Sequence, residues 1–113
     1  MRVTQAAVLP PELLAEAEKI GARLARLRIA RHISQMEAAL RAGFSRNTAY
    51  RLEKGDPGLA LGQLLRYLNA IAPGKSLQSF LAEDDPAIAA LEERERKKGV
   101  RSLSRRELDD LNF

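Results

Sequence analysis

Apolar positions along this chain recur at steps of three and four, in short blocks separated by turn residues. From Leu13 they fall at 14, 17, 20, 24 and 27, with Ala25 and Ile29 flanking the stripe. That spacing is one face of a helix. Pro10-Pro11 opens it, since proline is tolerated in a first helical turn, and it should end near Arg31-His32; Gly21 leaves a bend or a break open. Two shorter helices are predicted over 35–42 and 46–54, and a fourth over 60–72 with Leu61, Leu64, Leu65, Leu68 and Ile71 on one face. A fifth runs from a Ser76 cap through Leu81, with Leu77, Phe80 and Leu81 inward. Gly55-Asp56-Pro57-Gly58 and Pro73-Gly74 punctuate these blocks.

The flanks read differently. Residues 1–10 form an N-terminal arm, unstructured or a short strand, ahead of a domain over 11–82. From Glu83 the composition shifts to a charged C-terminal extension, 83–113. Glu83, Asp84, Asp85 and Pro86 make a solvated hinge, and residues 87–98 are helix-prone. Beyond them Val100, Leu103, Leu108, Leu111 and Phe113 stand isolated among charges, too sparse to bury much alone. Leu103, Leu108, Leu111 and Phe113 are therefore candidate partner-binding residues that order on docking.

Composition narrows the class. Three Phe, two Tyr and no Trp leave Leu, Ile and Ala to build the core, which favours helix over sheet. The absence of cysteine excludes disulfides and thiolate metal sites. No apolar run approaches the ~20 residues of a membrane span, and the first residues lack the apolar segment of a signal peptide; the expected location is cytoplasmic. Catalysis has little to work with, because His32 is the sole histidine and no nucleophile motif or phosphate-cradling glycine loop is present. A non-enzymatic protein without metal or cofactor is expected. The net charge of +4 is unevenly spread: residues 18–54 hold nine Lys and Arg against three Glu. Such a surface attracts phosphate.

That basic stretch contains SQMEAALRAGFSRNTAYRLEKG, residues 34–55. Ser34 can cap one helix, Gly43 can turn the chain at positive φ, Ser45 can cap the next, and Gly55 can end it. Ala39 allows the helices to approach closely. Ala49 and Leu52 would face inward, with Phe44 plugging the start of the second helix, leaving Arg46, Asn47, Tyr50, Arg51 and Lys54 outside. Arg can bond guanine bidentately and Asn can do so with adenine. Arg46, Asn47, Thr48, Tyr50 and Arg51 are the candidate base-contacting residues. Gln35, Ser45 and Lys54 are the candidate phosphate-contacting residues.

Residues 18–82 resemble the lambda-repressor-like helix-turn-helix family, also called the XRE family. The resemblance rests on SQ at 34–35, Ala39, AG at 42–43, FSRNT at 44–48 and RLEKG at 51–55. It implies an all-α, five-helix domain acting as a homodimer on a palindromic operator in double-stranded DNA. By position, Gln35 matches the family's phosphate-contacting glutamine, and Arg46, Asn47 and Arg51 match its variable base-reading positions. Ala38 and Ala49 stand where larger aliphatics are common, with Phe44 offsetting part of that volume, which implies a repacked core. The GDPG turn before a Leu-rich helix is similar to HipB-like antitoxins, which repress their own operon and restrain a HipA-like kinase toxin. The alternatives are a stand-alone regulator, or an interaction scaffold that does not bind DNA.

Overall fold

The computed structural model describes residues 4–82 and 86–98. The described residues form helices and connecting turns, with no strand. In chain order the helices are α1 (Gln5–Val8), α2 (Pro11–Ala30), α3 (Gln35–Ala42), α4 (Arg46–Glu53), α5 (Leu61–Ile71), α6 (Leu77–Leu81) and α7 (Pro86–Lys97). Helices α2 to α6 are the five expected from the sequence. The expected arm contains one helical turn instead, α1, capped by the Thr4 hydroxyl on the N–H of Ala7.

Helix α2 runs unbroken through Gly21. The glycine serves a close approach instead of a break: a Cβ at Gly21 would stand 2.5 Å from the Gly55 nitrogen and 2.7 Å from the Glu53 and Leu52 carbonyl oxygens. Gly55 is the reciprocal partner, since a Cβ there would meet the Ala17 oxygen and Glu18 Cα at 2.5 Å. Two glycines thus let the middle of α2 touch the end of α4 backbone to backbone. Gly55 also has φ 78°, which closes α4 with its N–H on the Leu52 carbonyl and the Asp56 N–H on the Arg51 carbonyl.

The core gathers Leu24 and Leu27 of α2, Ala38, Ala39 and Ala42 of α3, Ala49 and Leu52 of α4, Tyr67, Leu68 and Ile71 of α5, and Phe80. The predicted α5 stripe is corrected at its N-terminal end. Leu61 and Leu65 are exposed, whereas Tyr67 is fully buried beside Leu68 and Ile71. Leu81, expected inside, is also exposed. The Tyr67 ring stacks on Phe44 at 6.4 Å between centroids.

Contacts cross the expected boundary at residue 83. Ile88 and Leu91 of α7 are buried, Leu91 in a cluster with Ile29 and Ala30 of α2. Arg26 and Glu95 join the same two helices in a paired contact, Nη2–Oε1 2.5 Å and Nη1–Oε2 3.2 Å. No helix among the described residues is long and apolar enough to cross a membrane.

Candidate nucleic-acid interface

Local chemistry sets the angle between α3 and α4. Ser34 caps α3 by accepting the Glu37 N–H at 3.1 Å. Gly43, at φ 81°, ends it, with its N–H on the Leu40 carbonyl and the Phe44 N–H on the Ala39 carbonyl. The Arg66 guanidinium, from α5, closes the turn from outside. It donates to the Ala42 carbonyl at 2.6 Å and lies 4.7 Å over the Phe44 ring. Ser45 caps α4 by accepting the Thr48 N–H at 3.2 Å. Ala38, Ala39 and Ala49 are buried, so small side chains fill the space where α3 meets α4.

This arrangement turns one face of α4 to solvent. Arg46, Asn47, Tyr50, Arg51 and Lys54 are exposed, and Thr48 is half-buried with its hydroxyl 3.1 Å from that of Ser45. The Lys54 ammonium lies 5.4 Å over the Tyr50 ring. The Arg51 Nε donates to Asp56 Oδ2 at 2.7 Å. Asp56 Oδ1 accepts the Gly58 N–H at 2.8 Å. These two bonds, the backbone one foremost, hold the Asp56 carboxyl below its ordinary pKa. Arg46, Tyr50 and Lys54 also rim a cleft of about 340 Å³, floored by Ala25, Gln35 and Glu53.

Behind that face lies a polar cluster that sequence reasoning missed. Arg28 is 0% exposed, Gln35 5% and Glu53 8%. Arg28 donates from Nε to Glu53 Oε2 at 2.7 Å, from Nη2 to Oε1 at 3.0 Å, and from Nη1 to the Ile33 carbonyl at 2.9 Å. The Tyr67 hydroxyl donates to Glu53 Oε2, and Gln35 Nε2 donates to Oε1 at 3.1 Å. One carboxylate therefore ties α2, α3, α4 and α5 together. Burial, then the neighbouring Glu53 charge, drives the Tyr67 phenol far above its ordinary pKa.

Two expectations change as a result. Gln35, expected to clamp a phosphate with its amide and nearby backbone N–H groups, has that amide turned inward onto Glu53, because a buried carboxylate needs donors on all sides. Arg28, counted in the basic surface, is neutralised inside the molecule. His32 is exposed at φ 58° and closes α2, with its N–H on the Ile29 carbonyl and the Ile33 N–H on the Arg28 carbonyl. Histidine is among the side chains that tolerate this left-handed conformation. Leu103, Leu108, Leu111 and Phe113 lie outside the described residues.

Two capped helices about a left-handed glycine, the second with a cationic outer face, decide the fold. Residues 19–73 match the family model of a helix-turn-helix domain. The match runs from α2 to just past the end of α5 and so contains the whole α3–turn–α4 unit. The domain is all-α, and a helix-turn-helix supports DNA as the partner and a regulatory role. No curated protein and no solved structure matches the chain.

Proposed function

We propose that this protein is a sequence-specific repressor that binds a palindromic operator as a homodimer. One observation carries the reading. Helix α4 presents Arg46, Asn47, Tyr50, Arg51 and Lys54 outward, while its single carboxylate, Glu53, is buried and held by Arg28. A short helix with cations and an amide outside and no exposed acid suits the major groove in width, charge and hydrogen-bonding pattern. Arg46, Asn47 and Arg51 read bases, with Thr48 and Tyr50 adding contacts. Ser45 and Lys54 hold phosphates, and the α3 N-terminus contributes backbone N–H groups at Gln35 in place of its occupied amide. Two copies place their recognition helices in successive major grooves about 34 Å apart and block polymerase.

The test is binding to duplex DNA at two salt concentrations, with Arg46→Ala in parallel. Affinity should fall steeply as salt rises, since each neutralised phosphate releases counterions. Arg46→Ala should weaken binding to the selected sequence by about 1–3 kcal/mol. A folded protein that binds no duplex at low salt is instead a scaffold.

The finer reading is a HipB-like antitoxin that represses its own operon and restrains a HipA-like kinase. The GDPG turn ahead of the Leu-rich α5 supports it, and Leu103, Leu108, Leu111 and Phe113 are the proposed contacts for the kinase. Co-expression with the product of the adjacent gene tests it. Deleting residues 99–113 should abolish co-purification and spare DNA binding. An adjacent gene that encodes no kinase makes the protein a stand-alone regulator.

A further inference from the structure

We infer that Asp56 is the positioning residue that makes Arg51 a guanine reader. The inference rests on the DNA-binding reading above and names what that site prefers. Four bonds carry it. Asp56 Oδ2 accepts from Arg51 Nε at 2.7 Å, and the Asp56 N–H donates to the Arg51 carbonyl at 3.0 Å. Asp56 Oδ1 accepts the Gly58 N–H at 2.8 Å, and the Gly55 N–H closes α4 on the Leu52 carbonyl at 3.0 Å. The carboxylate is thus fixed by the turn, and the guanidinium is fixed by the carboxylate.

The atom used is the informative one. Asp56 engages Nε, the inner nitrogen of the guanidinium. The bond is made by Nε rather than by the planar end that carries Nη1 and Nη2. Two parallel N–H donors in one plane match the O6 and N7 acceptors of guanine. A free arginine samples many rotamers and loses that freedom on binding. One already held in the unbound protein loses less, so the contact discriminates better. Asp56 contributes nothing attractive to DNA itself. As an anion beside a phosphate-binding face it opposes non-specific binding, and so sharpens selectivity twice. Both side chains are partly exposed, and a pair in such surroundings adds little to folding stability.

The test uses the full chain, a pool of random-sequence duplexes, and the variants Asp56→Asn, Arg51→Ala and both together. Asparagine keeps the oxygen that accepts the Gly58 N–H, so the turn should survive; a thermal melt checks it. Bound duplexes are sequenced, and affinity for unselected duplex is measured separately. Wild type should prefer guanine about tenfold at one position, the discrimination a bidentate contact gives. Both single variants should lose that preference. Asp56→Asn should bind unselected duplex as tightly as wild type or more tightly, and the double variant should select like Arg51→Ala alone. A purely structural role for Asp56 would instead lower both affinities together and overturn the inference. So would an undiminished guanine preference in Asp56→Asn or in Arg51→Ala. Wild type that binds no duplex rejects the DNA reading and this inference with it; binding with the wrong pattern rejects the inference alone.

Discussion

Gly21→Ala should destabilise this protein, against the usual sign for that substitution in a helix. In an open helix interior, alanine is favoured over glycine by about 0.5–1 kcal/mol. Gly21 lies in mid-α2, and an added Cβ would fall 2.5 Å from the Gly55 nitrogen and 2.7 Å from two carbonyl oxygens at the end of α4. All three are backbone atoms, which cannot rotate aside. The two helices must part, loosening the interface that Arg28 and Glu53 also span. Overpacking that forces such backbone shifts costs about 1–3 kcal/mol. Subtracting the propensity gain leaves a net loss of about 1–2 kcal/mol, or roughly 5–15 °C in Tm for a domain of this size. Gly62→Ala is the internal control, because nothing lies within 4 Å of its added Cβ on the exposed start of α5. It should leave Tm unchanged or raise it slightly. Thermal unfolding followed by circular dichroism reads both. A Gly21→Ala protein that melts at or above wild type would refute the close approach of α2 and α4.

Removing Glu53 with Ala leaves Arg28 buried without its counter-ion, and urea unfolding should show a loss of about 3–5 kcal/mol. Replacing both residues by well-packed apolar side chains should recover most of it. The raised Tyr67 pKa favours the neutral phenol in the folded state, so its contribution is complete below the ordinary tyrosine value and lost only as pH rises towards the folded one. Alkaline titration of tyrosinate absorbance in the native protein should therefore be unchanged by Tyr67→Phe while the domain stays folded. For Asp56 the sign is opposite. Its depressed pKa gives a contribution present above the ordinary Asp value of 3.8 and lost as pH falls through the folded one. Any stability difference between wild type and Asp56→Asn should shrink in acid, and a difference that grows there would contradict the Arg51–Asp56 contact.

The helix pair was legible in the sequence because its determinants are local. Ser34, Gly43, Ser45 and Gly55 each act within a few residues, and the structure uses Ser34 and Ser45 as caps and both glycines at positive φ. What stayed hidden depends on distant partners. Arg28 and Glu53 are 25 positions apart, and nothing near either marks it as buried. Gln35 faces inward for the same reason, since the carboxylate that takes its amide comes from another helix. Gly21 read as a possible break because its real constraint, contact with Gly55, is tertiary. In α5 the leucine stripe correctly signalled a helix but misjudged its depth: Leu61 and Leu65 are exposed, whereas Tyr67, Leu68 and Ile71 are buried, and depth depends on which other helices pack there. The face of α4 was readable as chemistry; that Arg51 is already held by Asp56 was not, because it required the turn geometry.

Entry of the outward face of α4 into the major groove is tested most directly by amide chemical shifts recorded while a short duplex is titrated in. The largest changes should fall on Arg46, Asn47, Thr48, Tyr50 and Arg51 and on the α3 N-terminus around Gln35, with α7 unmoved. Shifts concentrated on α7 or α1, with α4 silent at saturating duplex, would contradict groove entry by α4.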